Sequence, residues 1–545
     1  MSRKLWLATL LAAVGLLTLF AASSASAKSH ATVATGGTIN VDLQSDLDYS
    51  DPALDYYQPG WELEYSTGLK LLNYPDGNGP QSSTLVPDAA AGFPKVSADG
   101  KTYDFTVNAG FTKFSNGQPV TAANFKAAFD RDADPKMQSP AVPFFSDIVG
   151  ADKSPVSGVV VKGNHIIFHL TKAAPDFLSR VAMPFFSAVP TNLQRDPNGV
   201  LAPPSAGPYY ISSRTPNKEI VVKKNPYYKG KRPHNVNEIH YTIGQDINAT
   251  WLRVQAGQTD LAEVLPPATY AQAAQKWGVN KSQFWVEPVL AVSYFAFNHD
   301  RPDFKVDAPK SDPALGNVNL MKAINYAIDR HAILAQAGFA AGKRTDQILP
   351  PGIAGFRDAQ LYPLKGPDLA KAKSLANGHT GDGTLVYYTC NTGTCPLRAQ
   401  IVQYDLKQIG INLDIHPFAR AVQFGKEGNK GEPFDIADEG WLADYADPYD
   451  FINVLLSGET IHDTNNNNFA YFNDPKFNKL MDQAQQLSGK ARSTAYGNLD
   501  INIMQNAAPW APRSNATNRY VVSSHFGNWT YNNIYGVDFA AITHK

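Results

Sequence analysis

The stretch from Thr384 to Ile415 constrains the fold more than any other. Thr384–Thr389 reads as a strand, and a short loop follows with Cys390 and Cys395. Pro396 opens a helix carrying Ile401, Tyr404 and Leu406, Gly410 stops it, and Ile411–Ile415 reads as a second strand. Strand, helix and strand in that order make a right-handed crossover. The chain is therefore expected to be α/β. Its 545 residues exceed one domain, and 43% apolar residues suffice for a substantial core. The balance of 48 basic against 49 acidic residues argues against a nucleic-acid partner, which would call for a basic excess.

Residues 1–27 read as a removable leader. Arg3 and Lys4 precede an apolar run from Leu5 to Ala22, and Ala25-Ser26-Ala27 has the small-residue form of a cleavage site. The run is almost long enough to span a bilayer, but the small residues after it favour cleavage over a membrane anchor. Loss of Arg3 and Lys4 leaves 46 basic against 49 acidic residues. Export places the only two cysteines, Cys390 and Cys395, in an oxidising compartment. A disulfide across the Asn-Thr-Gly-Thr loop is the expected outcome; two thiolates alone lack the remaining ligands of a structural zinc site. With Cys390 the first cysteine, an N-terminal lipid anchor on cysteine is not expected.

Further along, Thr38–Leu43 alternates as a strand, and Trp61–Leu72 reads as a helix. Asp99-Gly100 marks a hairpin, with Tyr103, Phe105 and Val107 alternating beyond it. Thr121 is a natural N-cap. His165 and His169 fall in a strand, where four residues cover about 13 Å, too far for one ion. Leu320–Ala335 reads as one helix capped by Asn319, and Asp474-Pro475 opens another. In the tail only Tyr520-Val521-Val522 is strand-like.

The segment Phe434–Phe451 carries the candidate site. Phe434 and Ile436 begin a strand, Gly440 frees the backbone, Trp441 offers a flat apolar face, and Asp444 follows before Pro448 blocks a continuing helix. An indole and a carboxylate at a strand end suit a small cationic group such as an amine. The plainer alternative is a core tryptophan with Asp444 capping a turn.

These residues resemble the signature of the extracellular solute-binding proteins, family 5, which serve dipeptide, oligopeptide and nickel ABC importers. Gly440-Trp441, Asp444 and Asp447-Pro448 are similar to the family's Gly-Trp-x-x-Asp-x-x-(Asp/Glu)-Pro run. Further likenesses arrive in family order: Asp99-Gly100-Lys101-Thr102-Tyr103, Asn116-Gly117-Gln118-Pro119-Val120-Thr121-Ala122, Gly207-Pro208-Tyr209, and Ala323-Ile324-Asn325-Tyr326-Ala327-Ile328-Asp329-Arg330. The resemblance implies a bilobal periplasmic-binding-protein-like fold with three domains. Residues 28–77, 200–298 and 516–545 would form the first lobe, 78–199 an additional small domain, and 299–515 the second lobe.

It also implies a monomer, without cofactor or metal, that closes on a peptide and delivers it to an ABC permease from the periplasm or cell surface. Asp444 would hold the ligand's α-ammonium, with Trp441, Gly440, Tyr445, Tyr294, Trp61 and Tyr57 around it. One departure stands out: Asp438 occupies the position where some oligopeptide binders carry an arginine for the ligand's carboxylate. Arg330, Arg398 and Arg420 remain in the same region as candidates, none of them assigned to the cleft. Oligosaccharides are the alternative ligand, stacking on Tyr56, Tyr57, Trp61, Tyr294 and Trp441. Nickel is disfavoured, because the 12 histidines include no close chelating pair on a helix. A secreted hydrolase is the competing class. The chain has no Gly-x-Ser-x-Gly, His-Glu-x-x-His or Walker sequence, and acid pairs in loops are common without catalysis.

Overall fold

A computed structural model describes residues 35–108 and 110–545. The expected leader, residues 1–27, lies outside them. The described chain is mixed α/β, built on a twelve-stranded sheet with a separate four-stranded sheet beside it.

The large sheet has two halves joined along one strand. Trp510–Val522 pairs through its first residues with Ala291–Phe297, and through its last with Leu261–Ala262 and Phe284–Pro288. On the first side Thr38–Leu43 lies parallel to both Glu238–Ile243 and Leu261–Ala262, and the hairpin Tyr209–Thr215/Glu219–Lys224 closes the edge. On the second side Thr384–Cys390 lies parallel to Asn412–Phe418 and to Ile436–Leu442. Ile436–Leu442 in turn runs antiparallel to Ala291–Phe297. Helix Cys395–Lys407 makes the expected crossover between Thr384–Cys390 and Asn412–Phe418. Cys390 and Cys395 are disulfide-bonded at its entrance, their Cα atoms 5.5 Å apart.

Residues 95–169 supply the four-stranded antiparallel sheet, with the Asp99-Gly100 turn linking its first two strands and Gly100 at φ 68°. Thr121 and Asn124 form a reciprocal capping box on helix Ala122–Asp132. His165 and His169 lie on one strand there; His165 Nδ1 meets Asp104 Oδ1 at 2.8 Å.

Several elements differ from expectation. The first helix is Gln58–Thr67, and Leu72–Asn73 beyond it is a strand. The expected helix Leu320–Ala335 is two helices, Val318–Ala327 and Arg330–Ala335. Ile328 is extended between them, and the Asp329 carboxylate caps the second by accepting from the Ala332 N–H. The first is capped by Asn317 rather than Asn319. Strand Ala291–Phe297, on the near side of the sequence boundary at residue 298, hydrogen-bonds into the same half of the sheet as Ile436–Leu442.

Candidate functional site

A cavity of about 550 Å³ opens between the segment that follows strand Ile436–Leu442 and the part of the chain carrying the small sheet. Asp444, Tyr445, Tyr449, Glu459, Thr460 and His462 line one wall. Phe144, Asp147, Asp176 and Arg180 line the other, with Tyr56 at the join.

Local bonding fixes Asp444 at this wall. The Ala443 N–H donates to the Leu290 carbonyl at 2.8 Å, fastening the chain just beyond the strand. The Asp444 N–H then donates to Asp450 Oδ2 at 2.9 Å, and Trp441 Nε1 donates to the same oxygen at 3.3 Å. Asp450 sits in the first turn of helix Tyr449–Leu456. Asp447 is held away by Arg492 at 2.7 Å.

Two side-chain bonds span the cleft. The Tyr56 hydroxyl lies 2.9 Å from each Asp444 oxygen, and the Tyr445 hydroxyl donates to Asp176 Oδ2 at 3.1 Å. Tyr56 is packed against Phe144 and Phe185, so it moves with the opposite wall. Arg180 ties Asp147 and Asp176 into one charged group, at 2.9 and 3.2 Å. Burial pushes Asp444 up to about 7, with the hydrogen bonds from Tyr56 and Asp450 pulling the other way. Burial, and then the charge of Asp444, hold Asp450 well above the usual carboxylate range. Asp444 is therefore an acid only about half ionised at neutral pH, whose ionised form an arriving cation would favour.

The sequence candidates divide. Asp444 and Tyr445 line the cavity, as does Tyr56. Trp441 is half-buried and supports Asp450 rather than lining the cavity. Gly440 is an ordinary strand residue opposite Ser293, with no positive φ to require glycine. Tyr294 is a core residue: it is fully buried and its ring stacks on Trp510 with centroids 3.7 Å apart. Trp61 is also core, donating from Nε1 to the Asp55 carbonyl at 2.8 Å and packing edge-on against Phe185. Tyr57 is exposed but does not line the cavity. Tyr294 alternates on its strand, and alternation does not tell which face meets the cleft.

Asp438 faces inward and is neutralised within the protein. Arg398 Nη2 approaches it at 2.7 Å, Arg513 Nη2 at 3.0 Å, and Thr389 Oγ1 donates at 2.9 Å. Burial alone would raise its pKa; Arg513 and Arg398 outweigh burial and hold it below the usual range. Beside it Arg420 pairs with Glu439 at 3.1 Å. Arg330 is buried, donating to the Pro512 carbonyl at 2.7 Å and to Asn325 Oδ1 at 2.8 Å. A larger groove, 960 Å³ and lined in part by Tyr326, His331 and Lys343, contains none of the predicted residues.

The description of the bacterial extracellular solute-binding proteins, family 5, matches residues 84–463. The chain belongs to this family. Among its relatives, the heme-binding protein A of Haemophilus influenzae is 27% identical over 501 residues, covering 84% of this chain and 85% of the relative. The probable D,D-dipeptide-binding periplasmic protein DdpA of Escherichia coli is 27% identical over 455 residues, covering 82% of each. Of solved structures, the clavulanic acid biosynthesis oligopeptide binding protein 2 superposes with a TM-score of 0.82 at 22% identity, covering 94% of this chain and 96% of that one. That likeness establishes the bilobal fold. It leaves the ligand to be argued from the site.

Proposed function

We propose that this protein is the exported substrate-binding component of an ABC importer. It captures peptides in the cleft and presents them, lobes closed, to a membrane permease. The observation that carries the reading is Asp444: a buried, otherwise uncompensated acid on the wall of a cavity whose volume falls in the ordinary range of ligand sites, about 300–1,000 Å³. A peptide's α-ammonium would replace the Tyr56 hydroxyl as its partner, exchanging a neutral hydrogen bond for a stronger charge-assisted one. The name of the D,D-dipeptide-binding relative supports a peptide ligand. The sugar alternative loses support, since Tyr57, Trp61, Tyr294 and Trp441 do not line the cavity.

Closure follows from the wall-to-wall contacts. A ligand touching both walls is bound best when they meet, so it shifts the population toward the closed form. The lobes we propose meet along Trp510–Val522 and the turn between Phe284–Pro288 and Ala291–Phe297, where the two halves of the sheet join. The test is mass spectrometry of ligand carried through purification, followed by calorimetry with the recovered compound. Recovery of peptides whose affinity collapses on N-acetylation and in Asp444→Asn supports the reading. Recovery of a ligand without an amine refutes it.

A further inference from the structure

We infer that Asp260, His525 and His544 form a binding site for a divalent transition-metal ion, separate from the cleft. One ligand atom from each residue lies within 4.8 Å of the other two. His525 Nδ1 is already 3.7 Å from Asp260 Oδ1. A zinc-like ion binds imidazole nitrogen and carboxylate oxygen at about 2.0–2.2 Å, so modest rotation of the two rings brings all three onto one ion. Two imidazoles and one carboxylate suit Zn²⁺, Ni²⁺ or Cu²⁺, and do not suit Mg²⁺ or Ca²⁺.

The surroundings orient the carboxylate and bring the two rings beside it. Asp260 is buried, and its carboxylate is oriented by three donors: the Asn40 N–H at 2.8 Å, Asn40 Nδ2 at 3.4 Å and the Ser523 hydroxyl at 2.6 Å. Those contacts leave lone pairs on the carboxylate for an ion, and outer hydrogen bonds of this kind orient metal ligands. His544 lies on the strand pair Phe526–Gly527 and Thr543–His544, His525 in the turn just before it, and their ring centroids stand 5.6 Å apart. Backbone approaches one side of each ring, and the His525 side chain stays 49% exposed. A Cβ on Gly37, at φ 78°, would lie 2.8 Å from the Cβ and Cγ of His544; one on Gly257, at φ 68°, would lie 3.0 Å from Cε1 of His525. Glycine at both positions lets the backbone come this close while leaving the rings room to turn.

The ion would tie the loop before Leu261–Ala262, and through the Asn40–Asp260 bond strand Thr38–Leu43, to the C-terminal strand pair. Metal binding would then act as a clip on the first half of the sheet, raising stability by linkage. This differs from the expectation of no metal. Chelating spacing within one helix is absent, and the three ligands come from positions 260, 525 and 544, too far apart for any spacing rule.

The test is calorimetry of the purified full-length mature protein with ZnCl₂ and with NiCl₂ alone, on wild type, His525→Ala and His544→Ala. The expected result is one saturable site per chain, weakened at least about tenfold by each substitution, with a rise in Tm on adding metal only in wild type. Circular dichroism checks that the variants fold, and calorimetry with the ligand recovered from the cleft checks that its binding is unchanged. Absence of saturable binding in wild type, or binding that survives either substitution, overturns the inference.

Discussion

Neutralising Asp444 by pH should control ligand capture. In the free protein its carboxyl sits at about 7. Paired with an ammonium it would return toward the ordinary aspartate value of about 3.9. The competent, ionised form is then about 3% of the population at pH 5.5 and about half at pH 7.0. A peptide's own α-amine, with a pKa of about 7.7–8.0, stays mostly protonated over that interval. Affinity for a peptide with a free amine should therefore rise about fifteenfold from pH 5.5 to 7.0, about 1.6 kcal/mol, and fall again above about pH 8 as the ligand loses its charge. The sign is fixed: the free protein holds the proton that the complex gives up, so binding releases a proton and strengthens as pH rises.

The assay is calorimetry with the recovered peptide at several pH values, repeated in buffers of different ionisation enthalpy to count the proton. Asp444→Asn should bind weakly and show no rise between pH 5.5 and 7.0. A flat wild-type profile, or a rise that persists in Asp444→Asn, would refute the assignment of the amine to this acid.

Four other outcomes are expected. The Tyr56 hydrogen bond lowers the Asp444 pKa, so Tyr56→Phe should move the midpoint of the affinity profile to higher pH, read by the same titration. Asp500 is fully buried and raised to about 7, burial outweighing the Ile348 N–H at 3.0 Å. Its contribution to stability is greatest below about pH 3.9 and is lost as pH rises through 7. Asp500→Asn keeps an acceptor without the charge, so its stability relative to wild type should improve by up to about 4 kcal/mol between pH 4 and pH 8 in urea titrations. Reducing Cys390–Cys395, which closes a loop of sequence separation 5, should cost about 2 kcal/mol by the same measurement with and without thiol. Asp438→Asn leaves Arg398 and Arg513 buried without their counter-charge and should destabilise by about 3–5 kcal/mol, seen as a lowered urea midpoint at unchanged slope.

What could be read from the chain and what could not divide along physical lines. Local chemistry was legible. Thr121 with Asn124, Asp474 before Pro475, and the strand–helix–glycine–strand run all act over a few residues, and each is found in place. Trp510–Arg519 was not read as strand. Pro512, Arg513, Ser514, Asn515 and Asn518 break any apolar alternation there, yet the segment is the central strand. Its polar side chains are buried by finding partners on other elements: Arg513 on Asp438, and Asn515 Nδ2 on the Ala291 carbonyl at 3.1 Å. The helix from Leu320 failed for the opposite reason. Its periodicity was real, but Asp329 bonds the Ala332 N–H and starts a new helix, a local competition that side-chain counting overlooks.

The cleft obeys a third rule, because each contact that makes it a cleft joins residues far apart in sequence. Tyr56 reaches Asp444 across 388 positions, and Asp176 reaches Tyr445 across 269. Sequence marks the acid, since Gly440-Trp441 and Pro448 frame it locally. It does not mark Tyr56 as the acid's partner over Tyr57, because adjacent tyrosines differ only in which way the backbone points them. That difference decides the chemistry. A hydroxyl from the opposite wall donates to Asp444 and offsets part of the upward push that burial gives its pKa. Tyr57 lies outside the cavity lining and is not placed to make this bond. Counting the proton released on binding therefore tests whether the cleft works through this pair of walls.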